Sequence, residues 1–153
     1  MSTNRTRGAS AETGDCPLCA PANEEAILWR DAACRVVEAD EPDYPGYCRV
    51  IWNAHVREMS DLATDERTRL IAVVCAVEES LRAVLRPAKI NLASLGNQVP
   101  HLHWHVIPRF EDDCNFPDSI WAPRRRPGAK RKFDRDALQR ELSRRLASLE
   151  PRK

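Results

Sequence analysis

The sequence predicts one α+β domain in which short β-strands stand before and after a long amphipathic helix. Three observations predict it. Three runs rich in β-branched, aromatic and aliphatic residues come early in the chain, a helical repeat of apolar residues follows, and two more strand-like runs come after the repeat. The chain has 153 residues, the size of one ordinary domain. One hydrophobic core is therefore expected.

The first three strands are predicted to form an antiparallel meander. They lie at residues 26–29, 34–38 and 47–52. Turn-forming residues separate them, above all the Glu-Pro-Asp-Tyr-Pro-Gly segment at 41–46. One long helix is predicted over residues 64–85, because apolar residues recur there at steps of three and four and Pro87 lies beyond the last of them.

Two further strands and a second helix complete the prediction. The strands lie at residues 90–95 and 103–107, separated by the loop at 96–100, and the C-terminal helix lies at 134–149. Residues 1–14 are polar and small, so too little apolar surface could be buried to offset the entropy of ordering them. We predict a disordered leader there.

Charge and composition exclude several classes of protein. The chain has 24 Lys and Arg against 23 Asp and Glu, so no global field favours nucleic acid or an anionic membrane as partner. No apolar run approaches the roughly 20 residues of a membrane helix, and the N-terminus lacks the apolar stretch of a secretory signal. We expect six reduced cysteines and a cytoplasmic protein.

Residues 101–105 read His-Leu-His-Trp-His and dominate the functional prediction. In a strand, alternate residues project from the same face about 6.6 Å apart, so the three rings share one surface while the apolar residues between them face a core. Imidazole is substantially neutral near pH 7 and is therefore nucleophilic without strong tuning. His103, the middle ring, is the natural attacker. The neighbouring rings could orient it or donate to phosphate oxygens.

Two other interpretations of the run stay open. Alternating histidines can simply cover a polar sheet face, although three in register make this less natural than for one. Neighbouring imidazoles can also share a catalytic metal ion. The run itself contains no carboxylate to complete such a metal site, and we expect no catalytic metal.

The run resembles the signature of the histidine triad (HIT) superfamily, His-x-His-x-His followed by apolar residues. The resemblance extends through the loop at 91–100, the strand ending in Trp-Asn-Ala-His at 52–55, and the Cys-Pro-Leu-Cys segment at 16–19. It covers roughly residues 15–122 and leaves a basic segment and the C-terminal helix at 123–153. It implies a five-stranded antiparallel sheet, a homodimer, and action on the α-phosphate of a nucleoside phosphate.

The resemblance assigns roles to the three histidines. His103 would form a transient nucleotidyl-histidine that water resolves, as in diadenosine polyphosphate hydrolases, and His105 would bond a phosphate oxygen. His101 completes the catalytic run. Dinucleoside polyphosphates and nucleoside phosphoramidates are both implied substrate classes, with a purine nucleotide expected.

Four more substrate contacts follow from the resemblance. Asn91 matches a phosphate-contacting asparagine, and Asp40 is the nearest match to a residue that binds ribose hydroxyls, each with a shortened loop. Asn97 and Gln98 stand where many members have Gln and Ser or Thr, and amides can also bond phosphate oxygens. Turn formation alone would equally explain Asn97 and Gln98.

Two positions depart from the family pattern. Tyr47 follows Pro-Gly where most members place a fourth histidine. A phenol can donate or accept a hydrogen bond but cannot carry positive charge, so we expect it to stabilise a charged neighbour less well. Trp52 replaces a proline that commonly closes the same strand, which we interpret as a packing change.

A structural zinc site is the one cofactor that we predict. Cys16 and Cys19 have zinc-knuckle spacing, but one such pair is a weak signal because four ligands are needed. The resemblance implies the other two, His55 and His101. The remaining alternatives are a redox-active pair and two plain reduced cysteines.

Two C-terminal features remain without an assigned role. Residues 124–132 form a basic cluster that could contact phosphates, but such runs are usually only solvated. Trp121 is our candidate for shaping substrate preference near a partner subunit's active site, with burial at an interface as the alternative. The alternatives to a HIT-type hydrolase are a nucleotide-binding scaffold with little turnover and a metal-dependent hydrolase.

Overall fold

The computed structural model describes residues 14–19 and 26–149 of the chain. It confirms the predicted α+β class, with a five-stranded antiparallel sheet and two α-helices. The elements are β1 (Ala26–Arg30), β2 (Cys34–Glu38), β3 (Cys48–Trp52), a short 3₁₀ turn (Met59–Asp61), α1 (Thr64–Leu85), β4 (Lys89–Ala93), β5 (His103–Arg109) and α2 (Arg135–Ala147). The predicted leader lies outside the described residues, apart from Gly14.

The sheet has the strand order β1-β2-β3-β5-β4. The first three strands are the predicted meander, and β5 inserts between β3 and the edge strand β4. In the antiparallel register of β3 with β5, Arg49 pairs with His105 and Ile51 pairs with His103. Residues 103–105 of the histidine run therefore begin the strand next to the sheet edge, with a neighbouring strand on each side.

The turn that leads into β3 depends on a glycine. Gly46 has a left-handed backbone (φ 84°), and a Cβ at this position would lie 2.7 Å from a methyl carbon of Leu85. Any other residue would be strained by the backbone and would force the side chain of Leu85 to move. This constraint fixes the place of Tyr47, the next residue.

Both helices pack on one face of the sheet and share its core. The apolar residues between the histidines, Leu102 and Trp104, lie on this face, with Leu102 buried and Trp104 partly buried. The buried core residues of the helices are Leu70, Val73, Val74, Ala76, Val77, Leu81, Leu138, Leu142 and Leu146. The C-terminal helix is thus part of the same core as the sheet and α1.

The opposite face is partly covered by the chain that follows β5. Tyr44, Tyr47, Ile107 and Cys114 form a second, smaller apolar cluster there. The rest of this face holds the histidines and several arginines.

Arginines of the basic segment are bonded within the chain. Ion pairs join Arg124 to Asp43, Arg125 to Asp118 and Arg131 to Asp112, and Arg126 donates to the carbonyls of Asp113 and Phe116. Within the described ranges, these contacts hold the segment against the loop after β5 and, through Asp43, against the turn between β2 and β3.

The largest differences from the predicted strand bounds, two residues each, are at the ends of β4 and β5. β4 ends at Ala93 and not at residue 95, and Leu95 is exposed. β5 continues past Pro108 to Arg109. The proline is tolerated because the pairing with β3 stops at Val106, so that β4 alone flanks β5 there. Neither helix of the described chain is both long enough and apolar enough to cross a bilayer.

Candidate active site

The three histidines lie on the sheet face opposite the helices, and all three side chains are buried. The rings of His103 and His105 meet edge to face, with their centroids 4.8 Å apart. Each of the three rings has a different hydrogen-bond partner.

His103 has one ring nitrogen engaged by the backbone. Its Nδ1 lies 2.6 Å from the carbonyl oxygen of His101. A carbonyl oxygen only accepts, so Nδ1 carries the proton and Nε2 keeps its lone pair. Burial lowers the pKa of His103 against the opposing effect of this hydrogen bond, and the charge of Arg49 lowers it further. At neutral pH the residue is therefore an uncharged imidazole with a nucleophilic Nε2.

His105 is oriented by Tyr47. The phenol oxygen lies 2.5 Å from Nδ1 of the imidazole. Burial, with the neighbouring His103 and Arg49, lowers the pKa of His105 to about 4. Burial also raises the pKa of Tyr47, so the phenol keeps its proton and can donate it to Nδ1. In that arrangement Nε2 of His105 carries a proton and can donate to a phosphate oxygen.

Asn91 is brought to the same face by the pairing of β4 with β5, in which it lies opposite Ile107. Its Oδ1 accepts a hydrogen bond from Nη1 of Arg109 at 2.7 Å. Arg109 is itself buried and bonded to both carboxylate oxygens of Asp113, at 2.7 and 3.0 Å. The carbonyl side of the amide is thereby fixed, which leaves its NH₂ group as the donor for a ligand.

The sequence prediction missed Arg109 and Asp113 as supporting residues. Burial opposes ionisation of Asp113, but the hydrogen bonds from Arg109 and from two backbone N–H groups lower its pKa overall. Their i,i+4 spacing directly after the histidine run was the available signal. Ser94, also missed, donates a 2.8 Å hydrogen bond to the carbonyl oxygen of His103.

The other predicted substrate contacts are more dispersed. Asn97 and Gln98 have exposed side chains in the loop before the histidines. Asp40 is exposed and lines a surface cavity with Glu38, Arg131 and other residues, none of which is a histidine. Among the described residues, no hydrogen bond or ion pair joins Asp40 to the histidine run, and its role as a ribose contact stays a prediction.

Trp121 lies beside the histidines of its own chain. Its exposed ring meets His105 edge to face at 5.3 Å between centroids. The predicted role of Trp121 near a partner subunit's active site stays a prediction. The segment after β5 folds back far enough to bring the ring to the site of the same subunit.

Cys16, Cys19, His55 and His101 converge at the other end of the run. Their ligand atoms all lie within 4.8 Å of one another. Sγ of Cys19 is 3.1 Å from Nδ1 of His55, and both sulfurs are 3.4 Å from Nδ1 of His101. Ligand atoms of a tetrahedral zinc with these donors are roughly 3.3–3.8 Å apart. The donor set and its spacing therefore fit a structural zinc ion.

The environment of this cluster also suits a metal. Nε2 of His101 lies 2.6 Å from the carbonyl oxygen of Trp52, so Nε2 carries the proton and Nδ1 is left for a metal. Arg35 donates to the carbonyl of Leu18 at 2.9 Å and so braces the loop between the two cysteines. His103 and His105 do not belong to this cluster, the one ligand group found within residues 14–19 and 26–149.

Two curated proteins with related sequences have names that describe action on dinucleotides. The chain is 30% identical over 87 residues to a bis(5'-nucleosyl)-tetraphosphatase [asymmetrical] of Schizosaccharomyces pombe, covering 54% of this chain and 48% of that protein. It is 32% identical over 81 residues to an AP-4-A phosphorylase of Mycobacterium tuberculosis, covering 49% and 42%. The matches thus span less than half the length of these relatives.

Solved structures share the fold. A histidine triad protein of Marinobacter aquaeolei VT8 superimposes with a TM-score of 0.64 at 25% identity, covering 82% of this chain and 91% of that one. A Zn-bound histidine triad family protein of Mycobacterium smegmatis gives a TM-score of 0.61 at 23% identity, covering 90% and 97%. The family model described as the HIT domain matches residues 20–112, which include the complete histidine run. The chain belongs to the HIT domain family.

Proposed function

We propose that this protein is a nucleotide hydrolase or nucleotidyl transferase that attacks the α-phosphate of a dinucleoside polyphosphate with His103. The observation that carries the proposal is the hydrogen bond from Nδ1 of His103 to the carbonyl of His101. It leaves the lone pair on Nε2, which has no hydrogen-bond partner among the described side chains and backbone groups. A neutral, oriented imidazole is what nucleophilic attack on phosphorus requires.

The reaction would proceed in two displacements. Nε2 of His103 forms a bond to the α-phosphorus while the bond from phosphorus to the leaving phosphate oxygen breaks. An acceptor oxygen then attacks the phosphorus, the P–N bond breaks, and the imidazole is restored. With water as acceptor, the product is a nucleoside monophosphate and the released proton passes to solvent. Nε2–H of His105 and the amide of Asn91 are the donors for the phosphate oxygens.

The names of the relatives support this substrate class. One relative is a tetraphosphatase for bis(5'-nucleosyl) substrates and another is a phosphorylase for AP-4-A. We extend the diadenosine specificity to this chain and expect a purine nucleotide. Asn97, Gln98 and Asp40 remain predicted contacts for the phosphate chain and the ribose.

We further propose a structural zinc ion at Cys16, Cys19, His55 and His101. Bound zinc would supply folding energy, because it ties the N-terminal cysteines to the start of β5, where few apolar residues could do so. The Zn-bound relative of Mycobacterium smegmatis supports this assignment.

We also propose a cytoplasmic homodimer. All six cysteines are unpaired thiols, which supports a reducing compartment. The edge strand β4 and the residues after it expose Leu92 and Leu95, and exposed apolar side chains at a sheet edge favour pairing with a second copy.

A second candidate is a nucleotide-binding protein with little turnover. Tyr47 favours it, because the phenol beside His105 cannot carry the positive charge that would stabilise a phosphorylated neighbour. Such a protein would bind nucleotides saturably without forming a covalent intermediate.

Turnover of labelled substrate separates the two candidates. We would incubate the full chain with diadenosine polyphosphates and adenosine phosphoramidates and quench rapidly to trap labelled protein. The wild type should release the leaving group, a nucleotide from a diadenosine polyphosphate or an amine from a phosphoramidate, in a burst and carry the label on His103. His103→Ala should lose several orders of magnitude in turnover, because the two-step route then disappears.

Gln139→Ala, at an exposed position of α2, is the matched control and should behave as the wild type. An active His103→Ala enzyme would contradict the assignment. Saturable binding without a burst in the wild type would favour the second candidate.

A further inference from the structure

Arg49 lies beside the proposed site without having been part of the sequence prediction. It is on β3, where its Cα pairs with that of His105. Its guanidinium carbon is 5.6 Å from the ring centroid of Tyr47, the phenol that bonds His105. Tyr47 and Arg49 are two residues apart on one strand and so project from the same face. The cation is therefore on the histidine face.

The guanidinium of Arg49 contacts Tyr47 but, among the described residues, has no carboxylate partner of the kind that pairs with other arginines. Its Nε is buried without a hydrogen-bond partner. Arg109, on the same face, is held by both oxygens of Asp113, and Arg69 pairs with Asp31. No carboxylate in the described part of the chain forms an ion pair with Arg49.

A buried donor without a hydrogen-bond partner destabilises the protein, and more so when the group is charged. The cost disappears when an anion binds to the group. The electrostatic influence of Arg49 reaches both histidines, since its charge lowers the pKa of His103 and of His105. A phosphate next to these rings would thus also be next to an uncompensated positive charge.

We propose that Arg49 binds the phosphate chain of the leaving group and thereby selects dinucleoside polyphosphates over nucleoside phosphoramidates. This proposal rests on the function proposed above and narrows its substrate class. When the α-phosphorus passes to His103, the leaving group of a dinucleoside polyphosphate develops negative charge on phosphate oxygens. The leaving group of a phosphoramidate is an amine and has no phosphate for Arg49 to bind. A guanidinium stabilises the first leaving group and is indifferent to the second.

Steady-state kinetics on two substrates tests the selection. We would measure kcat/KM of the full-length chain for diadenosine tetraphosphate and for an adenosine phosphoramidate with an uncharged amine. Arg49→Leu should lower kcat/KM for the tetraphosphate about 100-fold, as loss of one oxyanion donor does, and for the phosphoramidate less than about threefold. Arg49→Lys should restore part of the activity on the tetraphosphate, because the charge returns without the planar fork.

Arg140→Leu, an exposed arginine of α2, is the control for loss of one positive charge and should leave both values unchanged. Equal losses on the two substrates, or no loss on either, would overturn the proposal. Circular dichroism and thermal unfolding of Arg49→Leu exclude misfolding as the cause of a selective loss.

Binding measurements keep the proposal testable if the protein turns nothing over. By calorimetry on the His103→Ala background, Arg49→Leu should weaken binding of diadenosine tetraphosphate about tenfold more than binding of AMP. If the wild type is inactive but Arg49→Leu weakens binding of the tetraphosphate selectively, the proposed catalysis is refuted and the role of Arg49 is supported. If the wild type is active but Arg49→Leu weakens binding of both ligands equally, the role of Arg49 is refuted and the proposed catalysis stands.

Discussion

The two ends of the histidine run use the same residue in opposite ways. At the start, both ring nitrogens of His101 are engaged, Nε2 by the carbonyl of Trp52 and Nδ1 by two cysteine sulfurs. At positions 103 and 105, only Nδ1 has a hydrogen-bond partner in the described chain. The partner is a carbonyl oxygen for His103 and a phenol for His105. Only His103 and His105 lie within β5, and Nε2 of these two rings is left for a ligand, whereas both nitrogens of His101 are engaged.

The difference lies in the tautomer that each partner imposes. A carbonyl at Nε2 puts the proton of His101 on that atom and aims the Nδ1 lone pair at the sulfurs. A carbonyl at Nδ1 of His103 does the opposite. Residue type and spacing therefore locate the imidazoles, but the hydrogen-bond partner decides whether a ring suits a metal or a phosphorus atom.

Metal removal gives the largest expected effect and tests whether the two ends are independent. Cys19→Ser, or a strong chelator, should release zinc and lower the free energy of unfolding by about 4 kcal/mol, the value for a ligand present at about 1,000 times its Kd. Turnover per folded molecule should fall less than about tenfold, because the contacts of His103 and His105 involve no ligand of the cluster except the backbone of His101. Metal analysis and urea unfolding with and without chelator measure both quantities.

Cys75→Ser is the matched control, since this cysteine is exposed on α1 and lies outside the cluster. It should keep the metal and the stability of the wild type. If the chelated protein retained its stability, the four-residue cluster would not be a structural zinc site.

The sheet was predictable from the sequence because its signals are local. α1 occupies residues 64–85 in both prediction and structure, since the apolar period and the proline beyond it act within a few turns. The five strands were also located, with errors of one residue at some ends and of two residues where β4 and β5 end. Proline at 108 suggested an end of β5, but a proline ends a strand only where its missing N–H is needed.

Contacts within the site were less predictable because they depend on which strands become neighbours. Arg109 reaches Asn91 only because β5 inserts beside β4, and Arg49 reaches the histidines only because β3 lies on its other side. Neither pairing can be derived from the period of one segment. Where the comparison with a family supplied long-range information, at His55 and His101, the predicted cluster converges in the structure.

Asp113→Asn tests the buried ion pair with Arg109, which orients Asn91, the proposed phosphate donor, without a metal ion. Breaking the buried pair with Arg109 should lower the free energy of unfolding by about 3 kcal/mol at pH 7, because a buried guanidinium loses its counter-charge. Turnover should fall as well, since Arg109 orients Asn91. Urea unfolding and kcat/KM are the measurements.

The pH dependence of this variant has a definite sign. The pKa of Asp113 is lowered in the folded state from 3.8, so its ionisation stabilises the fold above that value. The contribution is lost as pH falls through the folded-state pKa, and the difference between wild type and Asp113→Asn should shrink below pH 4. Asp118→Asn, which breaks an exposed pair with Arg125, should cost at most about 1 kcal/mol. A deficit for Asp113→Asn that stayed constant down to pH 2 would contradict the ion-pair explanation.

Tyr47→Phe gives the smallest expected effect and tests the tautomer directly. Removing the hydroxyl deletes the hydrogen bond to Nδ1 of His105, worth about 1 kcal/mol, or about fivefold in kcat/KM. Nitrogen-15 NMR should find the Nε2-protonated tautomer of His105 in the wild type and a mixture in the variant, because nothing then distinguishes the two nitrogens.

Tyr44→Phe is the matched control for this change. Tyr44 is the other tyrosine of the chain, and its hydroxyl contacts Cys114 and Asn115, not a histidine. It should cost a similar amount of stability and leave the tautomer of His105 unchanged. If Tyr47→Phe also kept the tautomer, the phenol would not be what directs Nε2–H of His105 toward the ligand, and Asn91 would have to supply the phosphate donor alone.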